Sequence, residues 1–445
     1  MRQSVKRAGG ICAAALALSG CMSDFGSGMM PGDLMPTDIV TRFRTPDASQ
    51  AMKPTYAEKI TADSQIIQGL ALRSSVLPDG TVSDQVAAAV LAANSRTAEA
   101  ELRAATLRSE AASKNWLPKI GPQVNLTSLG SLAANLVVDQ VLFDNGRRAG
   151  ERAFAVADVE VAAVSLAQDT NNRVSTALKL YTNAIEARDT AALNRVSLKD
   201  MTHFEWVMQE RVKGGVSDVS DLTILRQKLL EIRATLDASV EREATSMSEL
   251  NAMSIHPLDA MHGMPEVPVN SFAGAPLSVV RAEAEKTRAI AASKVERAGF
   301  LPGLSAGATI GEGGGAGLSL GSDQLLGLGT KASLDASGMA EETATRKVRQ
   351  SIEDANRTLR RLEKQLSAKT RQAAEAATLA VQAKRNLDLF QEQYDAGQRQ
   401  VMDVVGVYET YSRQQQSQIT LKYEAVRLKI EMAQIQGVLA DGSAI

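Results

Sequence analysis

Apolar residues recur at alternating steps of three and four along two long tracts of this sequence. In the later tract they fall at Val348, Ile352, Ala355, Leu359, Leu362 and Leu366, pause at Lys369, and resume at Ala373, Ala376, Ala380, Ala383, Leu387, Phe390 and Tyr394. The earlier tract shows the same rhythm at Val174, Leu178, Tyr181 and Ile185. That spacing gathers apolar side chains into one seam and is the heptad pattern of a coiled coil. It predicts long helices over 147–211 and 339–395, each ~90–100 Å at a rise of ~1.5 Å per residue. Further helices are predicted over 84–113 and 218–254, with counterparts between 276 and 437.

The segments between Pro118 and Gly146 and between Pro302 and Gly338 carry a different period. Ile120, Val124 and Leu126 alternate with Gly121, Gln123, Asn125 and Thr127, while 136–143 is more continuously apolar. Leu304, Ala306, Ala308 and Ile310 alternate with Ser305, Gly307 and Thr309. Leu326, Leu328, Ala332 and Leu334 alternate with Gly327, Gly329, Lys331, Ser333 and Asp335. Period two marks a β-strand with unlike faces. Two hairpins are therefore predicted, over about 119–143 and 303–335. Pieces of ~9–11 residues match tilted strands crossing a bilayer, apolar outward around a wet lumen. Trp116, Phe143 and Phe300 fall at the strand ends, where an interfacial aromatic girdle would sit. Four strands cannot close a barrel, and an edge left open in lipid leaves backbone groups unpaired. The chain is thus expected to associate, three copies supplying about twelve strands.

These elements repeat. Trp116-Leu117-Pro118 recurs as Phe300-Leu301-Pro302, and Asp144-Asn145-Gly146 loosely as Asp335-Ala336-Ser337-Gly338. Gly215, Val219 and Asp221 align without a gap on Gly397, Val401 and Asp403. Their shared order predicts an internal duplication, with repeats over 61–256 and 276–437, a Pro-rich linker over 257–275 and a tail over 438–445.

Composition narrows the class. The chain has 445 residues, 44% hydrophobic but only 4% aromatic, which suits long thin helices better than a thick enzyme core. Its 49 basic and 51 acidic residues nearly cancel, so the basic excess of a nucleic-acid binder is missing. Residues 1–20 read as an export signal, with Arg2, Lys6 and Arg7 ahead of an apolar run from Ile11 to Leu18. Leu18-Ser19-Gly20-Cys21 then matches a bacterial lipobox, making Cys21 the lipidated residue and favouring the outer membrane. Acyl chains on one residue anchor a protein without spanning. The stretch 21–60, rich in Gly, Pro, Met and Ser, is expected to be an extended arm.

Taken together, the chain resembles the TolC family of outer-membrane efflux and secretion channels over nearly its whole mature length. The duplication, the Leu-Pro before each hairpin and Gln140-Val141-Leu142-Phe143-Asp144-Asn145-Gly146 carry the likeness. The last run resembles the family's Gln-Pro-Leu-Phe-Asp-x-Gly, with Val141 in place of Pro. The turn from Tyr394-x-x-Gly397 to Asp403-Val404 is equally typical. The resemblance implies a mainly α fold: a homotrimer whose four strands per chain form a twelve-stranded transmembrane β-barrel, continued into the periplasm by a coiled-coil helical barrel. It implies the exit duct of a tripartite efflux pump or a type I secretion system, working with a periplasmic membrane-fusion adaptor and an inner-membrane RND or ABC transporter. Carried over by position, Tyr394 and Arg399 match a gating pair at the periplasmic tips. Ser220 and Asp221 match their partners, and Asp403 a constriction aspartate. Gly406 stands where some relatives have a second aspartate. Gly214, Gly215, Val216 and Gly397 lie where an adaptor would dock.

Other chemistry finds little support. Gly311-x-Gly313-x-x-Ala316 fits a dinucleotide fingerprint formally, but no βαβ unit surrounds it, and a glycine-rich loop is expected. The region of Lys331 lacks the Gly-Lys-Ser/Thr of a phosphate loop. His203, His256 and His262 lack metal-ligand spacing, so neither metal nor cofactor is expected. No Ser, Cys or Asp has a catalytic neighbourhood, and no enzyme activity is expected. The other reading left open is a lipid-anchored periplasmic coiled-coil structural or adaptor protein without a pore.

Overall fold

The computed structural model describes residues 56, 60, 63–93, 97–128, 131–269, 274–311, 314–324 and 327–442, all within the unit Pro54–Ile445. The signal, Cys21 and nearly all of the expected arm lie outside the described residues. Among the described residues the elements with defined bounds begin with the short helices α1 (Gln65–Ala71), α2 (Val82–Ala92) and α3 (Thr97–Ser113). The single helix expected over 84–113 is therefore two, with 94–96 outside the described residues. Then follow β1 (Lys119–Ser128), β2 (Ser131–Phe143), α4 (Arg147–Lys213) and α5 (Val219–Met253). The second half repeats the order as α6 (Leu277–Gly299), β3 (Gly303–Ile310), β4 (Gly315–Gly321), α7 (Thr330–Asp395) and α8 (Val401–Gln436). The two long helices are nearly equal, 67 and 66 residues.

The seams expected from the heptads are where the helices pack. Val174, Leu178, Tyr181 and Ile185 of α4 sit in one core cluster with Met247 and Leu250 of α5 and Tyr423, Val426 and Ile430 of α8. On α7 the buried residues are Ala355, Leu362, Ala376, Ala380, Ala383 and Leu387, all seam positions apart from the small Ser337. Ile352 departs from the pattern and is exposed. The pause at Lys369 has a cause: its Nζ reaches Glu424 on α8 at 2.7 Å, an ion pair inside the seam. A second cluster closes the far ends of the long helices. There Met201, Phe204 and Met208 of α4 meet Leu222, Leu225 and Leu229 of α5, Leu387 of α7, and Val404, Val405 and Tyr408 of α8.

The four strands form one antiparallel sheet in the order β1-β2-β3-β4, so the pairing of β2 with β3 joins the two halves. The second hairpin differs from expectation. Its return strand is Gly315–Gly321, not 326–335, and α7 starts at Thr330 rather than 339. Ala316, Leu318 and Leu320 supply the alternation, and Gly311 turns the chain with φ +152°. Ala316, expected in a loop, is therefore in a strand. The later alternation coincides with the first turns of a helix, where Thr330 Oγ1 accepts the Gly327 N–H at 2.9 Å. Asp335-Ala336-Ser337-Gly338 thus lies inside α7 and not before it. Its small residues let α6 approach, and the Ser293 and Ser337 hydroxyls meet at 2.8 Å.

Candidate functional site

Register turns the strand alternation into two sheet faces. Ile120 pairs with Val138, Leu136 with Ile310, Leu304 with Leu320 and Ala306 with Leu318, so apolar residues continue across all four strands. Ile120, Val124, Leu136, Ile310, Leu318 and Leu320 are all exposed. The opposite face pairs Lys119 with Asp139, Gln123 with Asn135 and Ser305 with Ser319, whose hydroxyls lie 2.6 Å apart. Gln140 is the polar exception on the apolar side. Its amide is satisfied at the rim, donating to the carbonyls of Trp116 at 2.9 Å and Val141 at 3.0 Å. The outer edges of β1 and β4 have no strand partner among the described residues.

Trp116, Phe143 and Phe300 occupy one rim, at the start of β1, the end of β2 and just before β3. Trp116 and Phe143 are exposed, and Phe300 is half-buried as the C-cap of α6. The turn between β2 and α4 explains the Asp144-Asn145-Gly146 run. Asp144 accepts the N–H groups of Gly146 at 3.1 Å and Arg148 at 2.9 Å, capping the helix start. Asn145 (φ 52°) and Gly146 (φ 84°) take left-handed conformations open to these residue types. Asn145 Nδ2 then donates to the Pro302 carbonyl at 2.9 Å, tying the first Phe-Asp-Asn-Gly run to the second Leu-Pro. Beneath the polar face lies a cavity of about 470 Å³, lined by Lys119, Asp139, Arg148 and Asp323 among others.

At the opposite ends of the long helices the two turns are matched in detail. Gly215 has φ 72° and Gly397 φ 73°. Val216 N–H donates to the Arg211 carbonyl and Gln398 N–H to the Gln393 carbonyl, both at 2.9 Å. Each is a Schellman motif, closing a helix through a left-handed glycine. The next helix starts differently in each half. Asp218 caps α5, accepting Ser220 N–H at 3.0 Å, and this bond, with the Ser220 hydroxyl, holds its carboxyl below the usual range. Gln400 and Asp403 form a capping box on α8, Asp403 Oδ2 accepting Gln400 N–H at 3.1 Å.

The expected gate residues all lie on these turns, but within one chain the structure does not pair them as expected. Arg399 donates to Gln393 Oε1 at 3.0 Å and stacks 4.4 Å over the Phe390 ring. Tyr394 packs against the tip cluster. Among the described residues no hydrogen bond or ion pair joins Arg399 or Tyr394 to Ser220 or Asp221. Gly214, Gly215, Val216 and Gly397 sit at the turns, and Val216 is exposed.

Sequence periodicity missed a polar ladder between α4 and α8, which run antiparallel. Ser175 donates to Gln434 at 2.6 Å, Arg427 to Glu186, Tyr423 to Asp189 at 2.6 Å and Tyr408 to Asp200 at 2.8 Å. Burial, reinforced by the neighbouring aspartate, pushes the Tyr423 and Tyr408 hydroxyls well above the ordinary tyrosine value. Polar residues recurring inside an apolar seam were the available signal. Among the described residues no cluster of His, Cys, Asp and Glu could hold a metal ion.

No protein-family model matches the chain, and a comparison with curated proteins finds no relative. Solved structures do match. The Campylobacter jejuni CmeC outer membrane channel is similar at 12% identity and a TM-score of 0.67, covering 94% of this chain and 95% of its own. The Vibrio cholerae outer membrane protein VceC matches at 14% identity and 0.66, covering 86% and 96%. The open state of the Neisseria gonorrhoeae MtrE outer membrane channel matches at 15% and 0.61, covering 81% and 88%. Likeness along almost the full length of both partners, with the amphipathic sheet and paired long helices, gives this chain the fold of the TolC family of outer-membrane channels.

Proposed function

We propose that the chain is an outer-membrane export channel that works as a homotrimer. One observation carries this reading: a four-stranded sheet with one apolar and one polar face, and both edges unpaired among the described residues, stands on two helices of 66 and 67 residues. In water such a sheet exposes a broad apolar surface; in lipid its edges need partners. Three copies placing β4 against β1 satisfy both conditions, with the apolar face in lipid and Lys119, Asp139, Ser305 and Ser319 toward the lumen. Trp116, Phe143 and Phe300 then mark the periplasmic membrane interface. Cys21, lipidated, anchors the arm in the same membrane.

The long helices continue the lumen through the periplasm. The turns around Gly215 and Gly397 form its far end, where an adaptor docks on Gly214, Gly215, Val216 and Gly397. There the gate is built from Ser220, Asp221, Tyr394, Arg399 and Asp403. Arg399, exposed and held among the described residues by Gln393 and Phe390, is free to exchange partners as chains move. A ring of Asp403 carboxylates favours cations. The duct is passive and not an enzyme; an inner-membrane RND or ABC transporter supplies energy, for efflux or for type I secretion. A pore-less coiled coil has no use for the exposed apolar sheet.

The test is the mass of the purified, lipidated particle together with its planar-bilayer conductance. A trimer that conducts, with conductance raised by Arg399→Ala, supports the reading. A monomer, or a trimer that never conducts, overturns it.

A further inference from the structure

In the tip half of the chain α5 packs on α4, α4 on α8 and α8 on α7, so α5 and α7 stand at the two edges of one helical layer. Each edge helix carries a further, exposed stripe. On α7 the packed seam takes Ala355, Leu362, Ala376 and Leu387. The opposite side exposes Arg357, Arg360, Lys364, Arg371, Thr378 and Leu389, spaced again to share one helix face. Between 356 and 374, Glu363 is the only acidic residue against six basic ones. Among those six, Lys369 alone has an ion-pair partner on another helix among the described residues.

α5 is the converse. Leu222, Leu225, Leu229 and Leu250 are buried, and Thr235 and Arg242 line the recess toward α8. The side left over exposes Leu230, Ala234, Asp237 and Glu241, with Glu249 at its margin. None of these three carboxylates has an ion-pair or hydrogen-bond partner among the described residues. One edge of the chain is therefore basic and the other acidic.

The two stripes also agree in height. Leu222 and Leu225 pack with Val404, Val405 and Tyr408, which sets the turns at Gly215 and Gly397 level. α5 climbs from the first turn and α7 descends to the second, so residues equally far from their glycines lie at one height. Glu241 and Arg371 are each 26 residues away, ~39 Å up at ~1.5 Å per residue. Glu249 and Lys364 are 34 and 33 residues away, and Ala234 and Thr378 are both 19 away. Glu375 comes level with Asp237, a like charge, but Arg371 lies 3.7 Å from Glu375 on the same helix and offsets it. Rotation about an axis along the shaft preserves every one of these heights.

We propose that α7 of one copy docks along α5 of the next, in the register that pairs Arg371 with Glu241 of the partner subunit and Lys364 with Glu249 of the partner subunit. The occupant is a second copy because a single chain carries both complementary stripes, at matching heights, on opposite edges. Charged residues flanking a helix seam select partner and register, and guanidinium–carboxylate pairs are the stronger kind. The inference rests on the homotrimer reading and adds to it the surface and the register by which copies join.

The test uses the full-length lipidated protein in detergent, oxidised with copper phenanthroline and run on non-reducing SDS gels. Ala234→Cys/Thr378→Cys is expected to give covalent dimers and trimers, since each disulfide joins one copy to the next. Thr235→Cys/Thr378→Cys, with the first thiol turned toward α8, is expected to remain monomeric on the same gel. In the cysteine-unmodified protein, Arg371→Glu/Lys364→Glu is expected to lower the temperature at which trimers dissociate by about 5 °C. Adding Glu241→Arg/Glu249→Arg restores it. The proposal is overturned if a particle of trimer mass gives no covalent ladder with Ala234→Cys/Thr378→Cys, if both cysteine pairs link alike, or if the fourfold charge exchange is no more stable than the twofold one. A monomeric parent overturns the homotrimer reading as well, so the particle mass separates the two failures.

Discussion

The Tyr423 hydroxyl donates to Asp189 Oδ2 at 2.6 Å across the packing of α8 on α4, with the Arg427–Glu186 pair one turn away. The contact joins the last helix of the chain to the first long one, so it ties the second half to the first. Tyr423→Phe removes the donor and leaves Asp189 under-bonded in a half-buried site. The expected loss is about 1–3 kcal/mol, read as a lowered melting temperature. Asp189→Asn combined with Tyr423→Phe is expected to cost less than the sum of the two.

The same bond sets an alkaline limit. The folded protein raises the Tyr423 and Tyr408 hydroxyls above the ordinary tyrosine value of about 10, through burial first, with the adjacent aspartates adding to it. A raised value favours the protonated form, so this contribution is complete below pH 10 and is lost as pH climbs toward the folded-state values. Melting temperature is therefore expected to fall from about pH 10 upward, less steeply in Tyr423→Phe. A parallel decline in both proteins would show that Tyr423 does not contribute.

Gly215 and Gly397 are expected to behave as equivalents. Both are left-handed, and a Cβ at either meets nothing within 4 Å, so Ala substitution costs only backbone strain. That strain is about 1 kcal/mol at each site, with Asn costing less. Thermal unfolding of Gly215→Ala, Gly397→Ala and the double variant checks both the equivalence and the additivity.

Gly303 predicts a sharper effect. A Cβ there would stand 2.9 Å from the Phe143 carbonyl oxygen, backbone that cannot swing aside, where β3 joins β2. Gly303→Ala is expected to cost about 1–3 kcal/mol and to lower the yield of assembled particles on native gels. At Gly307, in the same strand, a Cβ meets nothing within 4 Å, so Gly307→Ala is expected to assemble normally.

The coiled-coil seams and the first hairpin were legible because each rests on a period that one face enforces. Val174, Leu178, Tyr181 and Ile185 are buried together because a helix stacks residues three and four apart. The second hairpin was harder, since glycine alternation in 315–321 and in 327–335 look alike, and only the helix start at Thr330 separates them. The α4–α8 ladder was hidden because polar residues at buried positions read as breaks in a hydrophobic pattern. Lys369 shows this plainly: a gap in the heptads is an ion pair to Glu424. Arg399 shows the opposite case, a charged residue placed correctly on its turn whose partners, Gln393 and Phe390, come from its own helix end.

Neighbouring residues on β4 test the central claim most directly. Leu318 lies on the apolar face and Ser319 on the polar one. Leu318→Cys and Ser319→Cys are each placed in a planar bilayer, and current is followed while a membrane-impermeant anionic thiol reagent is added. A lipid-facing barrel around a lumen predicts that the reagent alters conductance through Ser319→Cys and leaves Leu318→Cys unchanged. The account is contradicted if neither protein conducts, or if the Leu318→Cys current responds and the Ser319→Cys current does not.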